Sequence, residues 1–457
     1  MMRKEDRRTF LRQAAAVGTV WTAAPAIAKS SQSPNERIRT AVVGLGGRGR
    51  YSLCGAIYQL AKEENVEIVG LSDCDQHRME AAAKEVEQHL GVRPRLEVDM
   101  RRLLEDKSIH AILLATPNHW HALQTIWACQ AGKDVYVEKP ASHNLREGRK
   151  MVEAARKYQR MVQVGTQCRS SPKIREGIAK LHQGVIGRVY MARGIAFKLR
   201  AGGKNAIGPV PEGMNWDLWL GPAPEAPYNQ LAVTRWRFLK AYGNGELGDQ
   251  GVHQVDMIRW GLRLDQHPIR IQSLGASNFR PASDEDTPGQ QTMTAKFAGK
   301  DEGRDLLVHF ETRDGFTNDE AGMGIKYPFV DHRNVCGVIF FGTEGYMIIP
   351  DYSSYYTFLG PNRELGPHDS VPEAPMMDQD HVRNWLRAIR SRRREDLSAD
   401  IEEGHLSAAV CHLANIACTL ERTLRFDAAA EKFVGDPDAD KLLSRQYRPP
   451  YLLPEQV

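Results

Sequence analysis

Cysteine is scarce and dispersed: seven residues (54, 74, 129, 168, 336, 411 and 418) in 457, with no CxxC pair among them. An odd, scattered set of this kind argues against both a disulfide framework and a cysteine-ligated zinc site. Cys411 and Cys418, seven apart in an apolar helical pattern, read as buried thiols. No uninterrupted apolar run is long enough to span a bilayer. Charge of one sign is lacking as well. The formal charge is +4, and residues 1–28 hold five basic residues (Arg3, Lys4, Arg7, Arg8, Arg12) against Glu5 and Asp6. The remainder is close to neutral and has no aromatic and basic stripe, which leaves no electrostatic case for a nucleic-acid partner. Internal repeats and low-complexity blocks are absent too.

The start of the chain is informative. Arg7 and Arg8, then Phe10 and Leu11, a moderately apolar run, and the small-residue site Ala26-Ile27-Ala28 form a twin-arginine export signal. Gly18 and Pro25 interrupt that run, so it makes no mature membrane anchor. A periplasmic or otherwise exported location is expected. Because this route carries folded proteins, a cofactor could be loaded in the cytoplasm and carried out.

After a polar linker (29–36), strand-like and helix-like stretches alternate: "IRTAVVGLGG", "LCGAIYQLAKEEN", "VEIVGLSDCD", "HRMEAAAKEVEQHL", "AILLATPN", "HALQTIWACQAG", "KDVYVEKP". Strands separated by helices of ten or more residues predict βαβ units on a doubly wound parallel sheet, a Rossmann domain over 37–161. From 162 to 430 strand patterns dominate before a helix-rich end. They predict an α+β domain with a large, mostly antiparallel open sheet, followed by a tail over 431–457. A broad open sheet face implies a homo-oligomer, a dimer or tetramer.

Gly44, Gly46 and Gly49 give GxGxxG directly after a strand and before a helix. The turn must be tight and its backbone bare enough for a pyrophosphate to approach the helix N-terminus. Gly47 and Arg48 lie in the same turn and join it as candidate cofactor contacts. Asp73 ends the next strand, 24 residues past Gly49, where a carboxylate would accept from ribose hydroxyls. An acid there favours NAD. NADP stays open because Arg48 and Arg78 could hold a 2′-phosphate.

Two further segments carry candidate chemistry. "YVEKP" ends a parallel strand at the sheet edge where ligands collect, making Glu138 and Lys139 cofactor-side candidates. In "GDQGVHQVD", Asp249 and His253 stand at i and i+4, with Asp256 one turn further along. Oxidising a secondary alcohol needs a group to take the hydroxyl proton, and histidine titrates in the useful range. A carboxylate one turn away would raise the imidazole pKa. On spacing alone, Asp249 could equally be a helix N-cap with His253 half buried behind it.

These segments, together with "TPNHWHA", resemble in content and order the Gfo/Idh/MocA oxidoreductases, from about residue 37 to 425. The resemblance implies that Lys139, Asp249 and His253 form the catalytic trio and that a cis bond precedes Pro140. It also implies that Thr116, Pro117, Asn118 and His121 line the cofactor cleft. Arg169, Trp236 and Asp256 are candidate substrate contacts. Residues 198–245 form a long, insertion-like loop whose Trp216, Trp219 and Trp236 either face sugar C–H groups or pack the loop down.

The expected function is a nicotinamide-dependent oxidoreductase acting on a ring hydroxyl or ketone of a sugar, glycoside or cyclitol, with tightly bound cofactor and no metal. The alternatives are a glycosidase that oxidises transiently with NAD, or a non-catalytic sugar-binding protein. Relatives of the first kind resemble one another in replacing the EKP lysine, whereas this chain keeps Lys139. A metal hydrolase using His253 and Asp256 is weaker still, since no other histidine has ligand spacing to them.

Overall fold

The computed structural model describes residues 37–277, 279, 282–299, 303–315, 334–371 and 377–457. The export signal (1–28) and the linker (29–36) lie outside the described residues.

Six parallel strands form the first sheet: β1 (Ile38–Val43), β2 (Val66–Ser72), β3 (Arg95–Glu97), β4 (Ala111–Leu114), β5 (Asp134–Val137) and β6 (Val162–Val164), in the order β3-β2-β1-β4-β5-β6. β4 is apolar and buried throughout, and β1 and β5 are nearly so, as crossover helices on both faces require. The connecting helices include α1 (Cys54–Leu60), α2 (Gln76–Leu90), α3 (Asn118–Gln130) and α4 (Leu145–Lys157). Their ends follow local chemistry. The Asp75 carboxylate accepts from the N–H groups of His77 and Arg78 to start α2, which Gly91 closes at φ +71°.

Two expectations are corrected here. The first domain does not end at residue 161, because β6 pairs in parallel with β5. A Val-Gln-Val strand does not say which sheet it joins. Nor is 162–430 a separate block: α6 (Met377–Ser391) returns to the first sheet, burying Trp385, Leu386 and Ile389 beside Leu53, Ile57 and Tyr136. The Trp385 indole N–H donates to the Met161 carbonyl at 3.2 Å.

Among the described residues the second sheet has ten strands: β7 (Val189–Lys198), β8 (Arg270–Ala276), β9 (Gln290–Phe297), β10 (Leu306–Asp314), β11 (Asn334–Gly342), β12 (Gly345–Ile349), β13 (Ser354–Leu359), β14 (Glu364–Ser370), β15 (Leu424–Asp427) and β16 (Lys432–Phe433). Their order is β14-β13-β12-β11-β7-β10-β9-β8-β15-β16, and β7 with β10 is the parallel pair in a mostly antiparallel sheet. Along β9, Gln291, Met293, Ala295 and Phe297 point inward. They pack in the core that α5 (Val252–Leu262) and α7 (Ile401–Leu420) help to build. The opposite face exposes Tyr190, Leu274 and Leu307. "CGVIFFGTEGYMIIP" folds into a hairpin of β11 and β12.

The segment after 430 is no loose tail. The Glu431 carboxylate accepts from His267, His405 and Arg149, tying together both parts of the molecule. Tyr451 is buried against Trp120. All seven cysteines are free, with Cys411 buried and Cys418 only partly so. Among the described residues, no helix is long and apolar enough to cross a membrane.

Candidate active site

β1 runs into Gly44 at φ +85°, and the chain enters α1 through a wide turn over Arg48–Leu53. A Cβ on Gly44 would lie 2.7 Å from the Ala115 backbone, and one on Gly49 would lie 1.8 Å from the Gly44 carbonyl oxygen. These two glycines let the turn close against β4. Gly46 and Gly47 differ: a Cβ on Gly47 would meet nothing within 4 Å, and one on Gly46 only Arg78 Nη1 at 3.7 Å. They border a cleft of about 350 Å³, which Asp73, Thr116, Pro117, Trp219, Trp236 and Arg237 also line. Bare backbone at that point admits a pyrophosphate.

Asp73 is fixed by backbone donors, Leu45 N at 2.6 Å and Asp75 N at 2.9 Å. Burial raises its pKa, and these two donors oppose that shift. A buried carboxylate at the strand end suits ribose hydroxyls and repels a 2′-phosphate, so the donor set fits NAD.

Four expected cofactor contacts are engaged by the protein instead. Arg48, though on the cleft wall, donates through Nε to Glu138 Oε1 at 2.7 Å and through both Nη atoms to Asp378 at 2.7 Å. Two carboxylates neutralise it, and Glu138 is committed to that pair. Asn118 is buried and donates to Asn244 Oδ1 at 2.9 Å, anchoring the loop that leads to the catalytic helix. His121 is also buried, bonded to the Pro140 and Thr116 carbonyls at 2.8 Å each. It positions the cleft wall and does not itself line it.

Lys139 stands just past β5, before a cis Lys139–Pro140 bond. Its ammonium donates to Asp249 Oδ1 at 2.7 Å and to the Asp249 carbonyl at 2.9 Å. Arg237 Nε donates to the same Oδ1 at 3.2 Å. Asp249 is not an N-cap: it lies inside a wide helical turn, Leu247–Gly251, that runs directly into α5. Burial would raise its pKa, but Lys139 and Arg237 outweigh that and hold it well below the usual carboxylate range.

His253, on the first turn of α5, is buried near Tyr352, with ring centroids 6.1 Å apart. Among the described residues its Nδ1 has no hydrogen-bond partner. The expectation that a nearby carboxylate raises its pKa is overturned. Burial drives it well below the ordinary range and Lys139 adds to this, while Asp249 opposes them and loses.

Asp256 and Arg169, expected at the substrate, bond to each other at 2.8 and 2.9 Å, and Ser407 also donates to Asp256. The Asp256 side chain is 1% exposed. The pair is structural, because neither group faces open space. Trp219 stacks on Trp216 at 4.6 Å and packs the loop down, while Trp236 borders the cleft.

Two family models match this chain. One, an oxidoreductase family NAD-binding Rossmann fold, covers residues 38–166; the other, the α/β C-terminal domain of the same family, covers 177–284 and 367–453. The chain belongs to the Gfo/Idh/MocA oxidoreductases.

Relatives include a levoglucosan dehydrogenase from Pseudarthrobacter phenanthrenivorans, 29% identical over 163 residues, 35% of this chain and 35% of that protein. The match thus spans about a third of that relative's length. The rhizopine catabolism protein MocA of Rhizobium meliloti is 24% identical over 311 residues, 68% of this chain and 77% of its own. A levoglucosan dehydrogenase solved in complex with NADH and levoglucosan shares the fold at a TM-score of 0.63 and 17% identity, covering 85% of this chain and 99% of that one.

Within this Gfo/Idh/MocA chain, several groups at the site escape sequence reasoning. Lys198 on β7 donates to Gln250 at 2.8 Å and pairs with Glu246 at 3.1 Å. Tyr352 accepts from Gln250 at 2.5 Å, and Arg237 sits in the loop. The buried acid in "GELGD" and the cation beside tryptophan in "RWRF" were the available signals.

The depressed pKa of His253 sets a pH dependence. With its folded value below the unfolded value of about 6.5, the ring stays neutral into mild acid. Its contribution to stability is therefore lost as pH falls below about 6.5, where the unfolded ring takes the proton first. kcat/KM is expected to hold flat down to about pH 6.5 and to fall only beyond it. A pH profile with a His253-dependent acid limb centred above that value contradicts this assignment.

Proposed function

We propose that this protein is an NAD-dependent oxidoreductase acting on a ring hydroxyl of a sugar, glycoside or cyclitol. The observation that carries this reading is the juxtaposition of Lys139, Asp249 and a neutral, buried His253 at the C-terminal edge of β5, joined through Arg237 to the nucleotide cleft. An ammonium has three N–H donors, and Asp249 takes two of those of Lys139. The third is left for the substrate oxygen. The imidazole of His253 accepts the hydroxyl proton, and its depressed pKa keeps it in the accepting form. Bound NAD supplies the hydride acceptor.

The glycosidase alternative lacks a comparable observation, since the lysine expected to be replaced there is present and paired. The test uses purified protein with no added cofactor. Released nucleotide is identified after denaturation, and absorbance near 340 nm is followed as sugars, glycosides and cyclitols are added. Bound NAD reduced by one class without glycosidic cleavage supports the reading. Glycoside cleavage without net reduction overturns it, as does protein that cannot be loaded with nucleotide.

Tight retention of the cofactor is part of this reading. The 198–245 loop is tied to the end of β2 by Asn215 N to the Cys74 carbonyl at 2.7 Å and by Gln76 N to the Gly213 carbonyl at 3.0 Å. Trp219 and Trp236 wall the cleft. Arg448 then holds the loop from outside, donating to Asp217 at 2.5 Å and to the Gly221 carbonyl at 2.9 Å. Arg448→Ala removes charge-assisted bonds worth about 1.5–3 kcal/mol each. It is expected to speed NAD release by roughly tenfold or more, measured by displacement in stopped flow; an unchanged rate removes the loop from cofactor retention. Export through the twin-arginine signal and association through the exposed sheet face complete the proposal. They are checked by fractionation of the full-length protein and by its solution mass.

A further inference from the structure

We propose that Arg237 recognises a carboxylate, and that the substrate is an anionic carbohydrate, a uronate or similar sugar acid. The inference rests on the oxidoreductase reading above and gives it a substrate class.

Four arginines line the cleft. Three are matched by acids of their own: Arg48 by Glu138 and Asp378, Arg78 by Asp75, and Arg101 by Asp99. Arg237 has only a share in Asp249, whose Oδ1 also receives the Lys139 ammonium at the shorter distance of 2.7 Å. Two cations thus divide one carboxylate, so the positive charge of Arg237 is incompletely matched on the cleft wall.

The geometry gives that charge a direction. The Arg237 guanidinium lies over the Trp236 ring, 4.3 Å from its centroid, and is tethered through Nε. Its side chain is 38% exposed on the cleft wall. No protein acceptor is assigned to its two terminal nitrogens among the described residues. A stacked, tethered guanidinium with its Nη pair open is pre-organised for bidentate binding of a planar carboxylate, which a lysine could not match. Because Lys139 and Arg237 converge on one Asp249 oxygen, the reacting hydroxyl and the bound carboxylate belong to the same sugar ring.

The experiment compares a methyl hexoside with the matching methyl hexuronide, using NAD-loaded wild type, Arg237→Gln and Arg237→Lys. Wild type is expected to favour the uronide in kcat/KM. The uronide-to-hexoside ratio is expected to fall roughly a hundredfold in Arg237→Gln, mainly through KM, with partial rescue in Arg237→Lys. An equal preference in wild type, or an unchanged ratio in Arg237→Gln, overturns the proposal. Loss of NAD from Arg237→Gln with the ratio intact also overturns it, and assigns the residue to the cofactor instead. If neither sugar is oxidised, the reaction reading fails, and tryptophan fluorescence still decides the carboxylate. Saturable quenching by the uronide that Arg237→Gln abolishes supports recognition; equal responses to both sugars, or none, refute it.

Discussion

Lys139→Met is expected to lower kcat by about 10²–10⁴, the range lost when a positioned proton-transfer or hydrogen-bonding group is removed, while the protein keeps its NAD. The ammonium is held by two bonds to Asp249 and offers its remaining donor to the substrate oxygen. Methionine keeps the length of the stem and removes all three donors. Asp249 then keeps Arg237 at 3.2 Å and the nearby charge of Lys198, so the carboxylate stays partly compensated and the fold should survive. The check is single-turnover reduction of bound NAD, with nucleotide content measured on the same preparation. A drop below tenfold at full NAD content would remove Lys139 from the chemistry. Loss of the nucleotide itself would place the lysine in cofactor binding.

Arg169→Met tests the opposite assignment, a residue that looked like a substrate contact and is structural. The change leaves the Asp256 carboxylate, 1% exposed, with the Ser407 hydroxyl as its compensating donor. Breaking a buried ion pair by removing one partner costs about 3–5 kcal/mol. Glu403, which Arg169 also contacts, keeps its bond to Arg259 and is more exposed, so the loss falls on Asp256. The urea unfolding midpoint should fall accordingly, with little change in KM for whatever fraction remains folded. A loss under about 1 kcal/mol accompanied by a raised KM would return Arg169 to the substrate site.

The sequence displayed what local spacing can display. The alternation of strands and helices announced the parallel sheet, and the glycine turn with Asp73 placed the nucleotide. The i, i+4 spacing of Asp249 and His253 marked them as neighbours, but did not show that Asp249 lies in the wide turn leading into the helix that carries His253. Spacing names a face but not the partner opposite it. Asp256 shares that helix, yet Arg169 claims it from 87 residues away. Arg48 sits in the right turn to meet a phosphate, yet Asp378, 330 residues later, reaches it first. His253 was expected to gain basicity from its neighbour, because sequence shows the carboxylate and hides both the burial and the lysine that reverse the effect. Arg237 lies in an irregular loop, where no periodicity marks a residue as inward or outward.

The return of α6 to the first sheet also bears on how the molecule is made. Trp385 closes the core beside β5, and 224 residues separate it from Met161, the residue whose carbonyl it binds. At bacterial and eukaryotic synthesis rates of about 5–20 residues per second, the earlier strands wait on the order of tens of seconds for their covering helix. For that interval the nascent sheet shows the ribosome's surroundings an apolar face, so it is a natural client for a chaperone. The same helix carries Asp378, so Arg48 on the cleft wall also gains one of its two carboxylates only when that helix has been made.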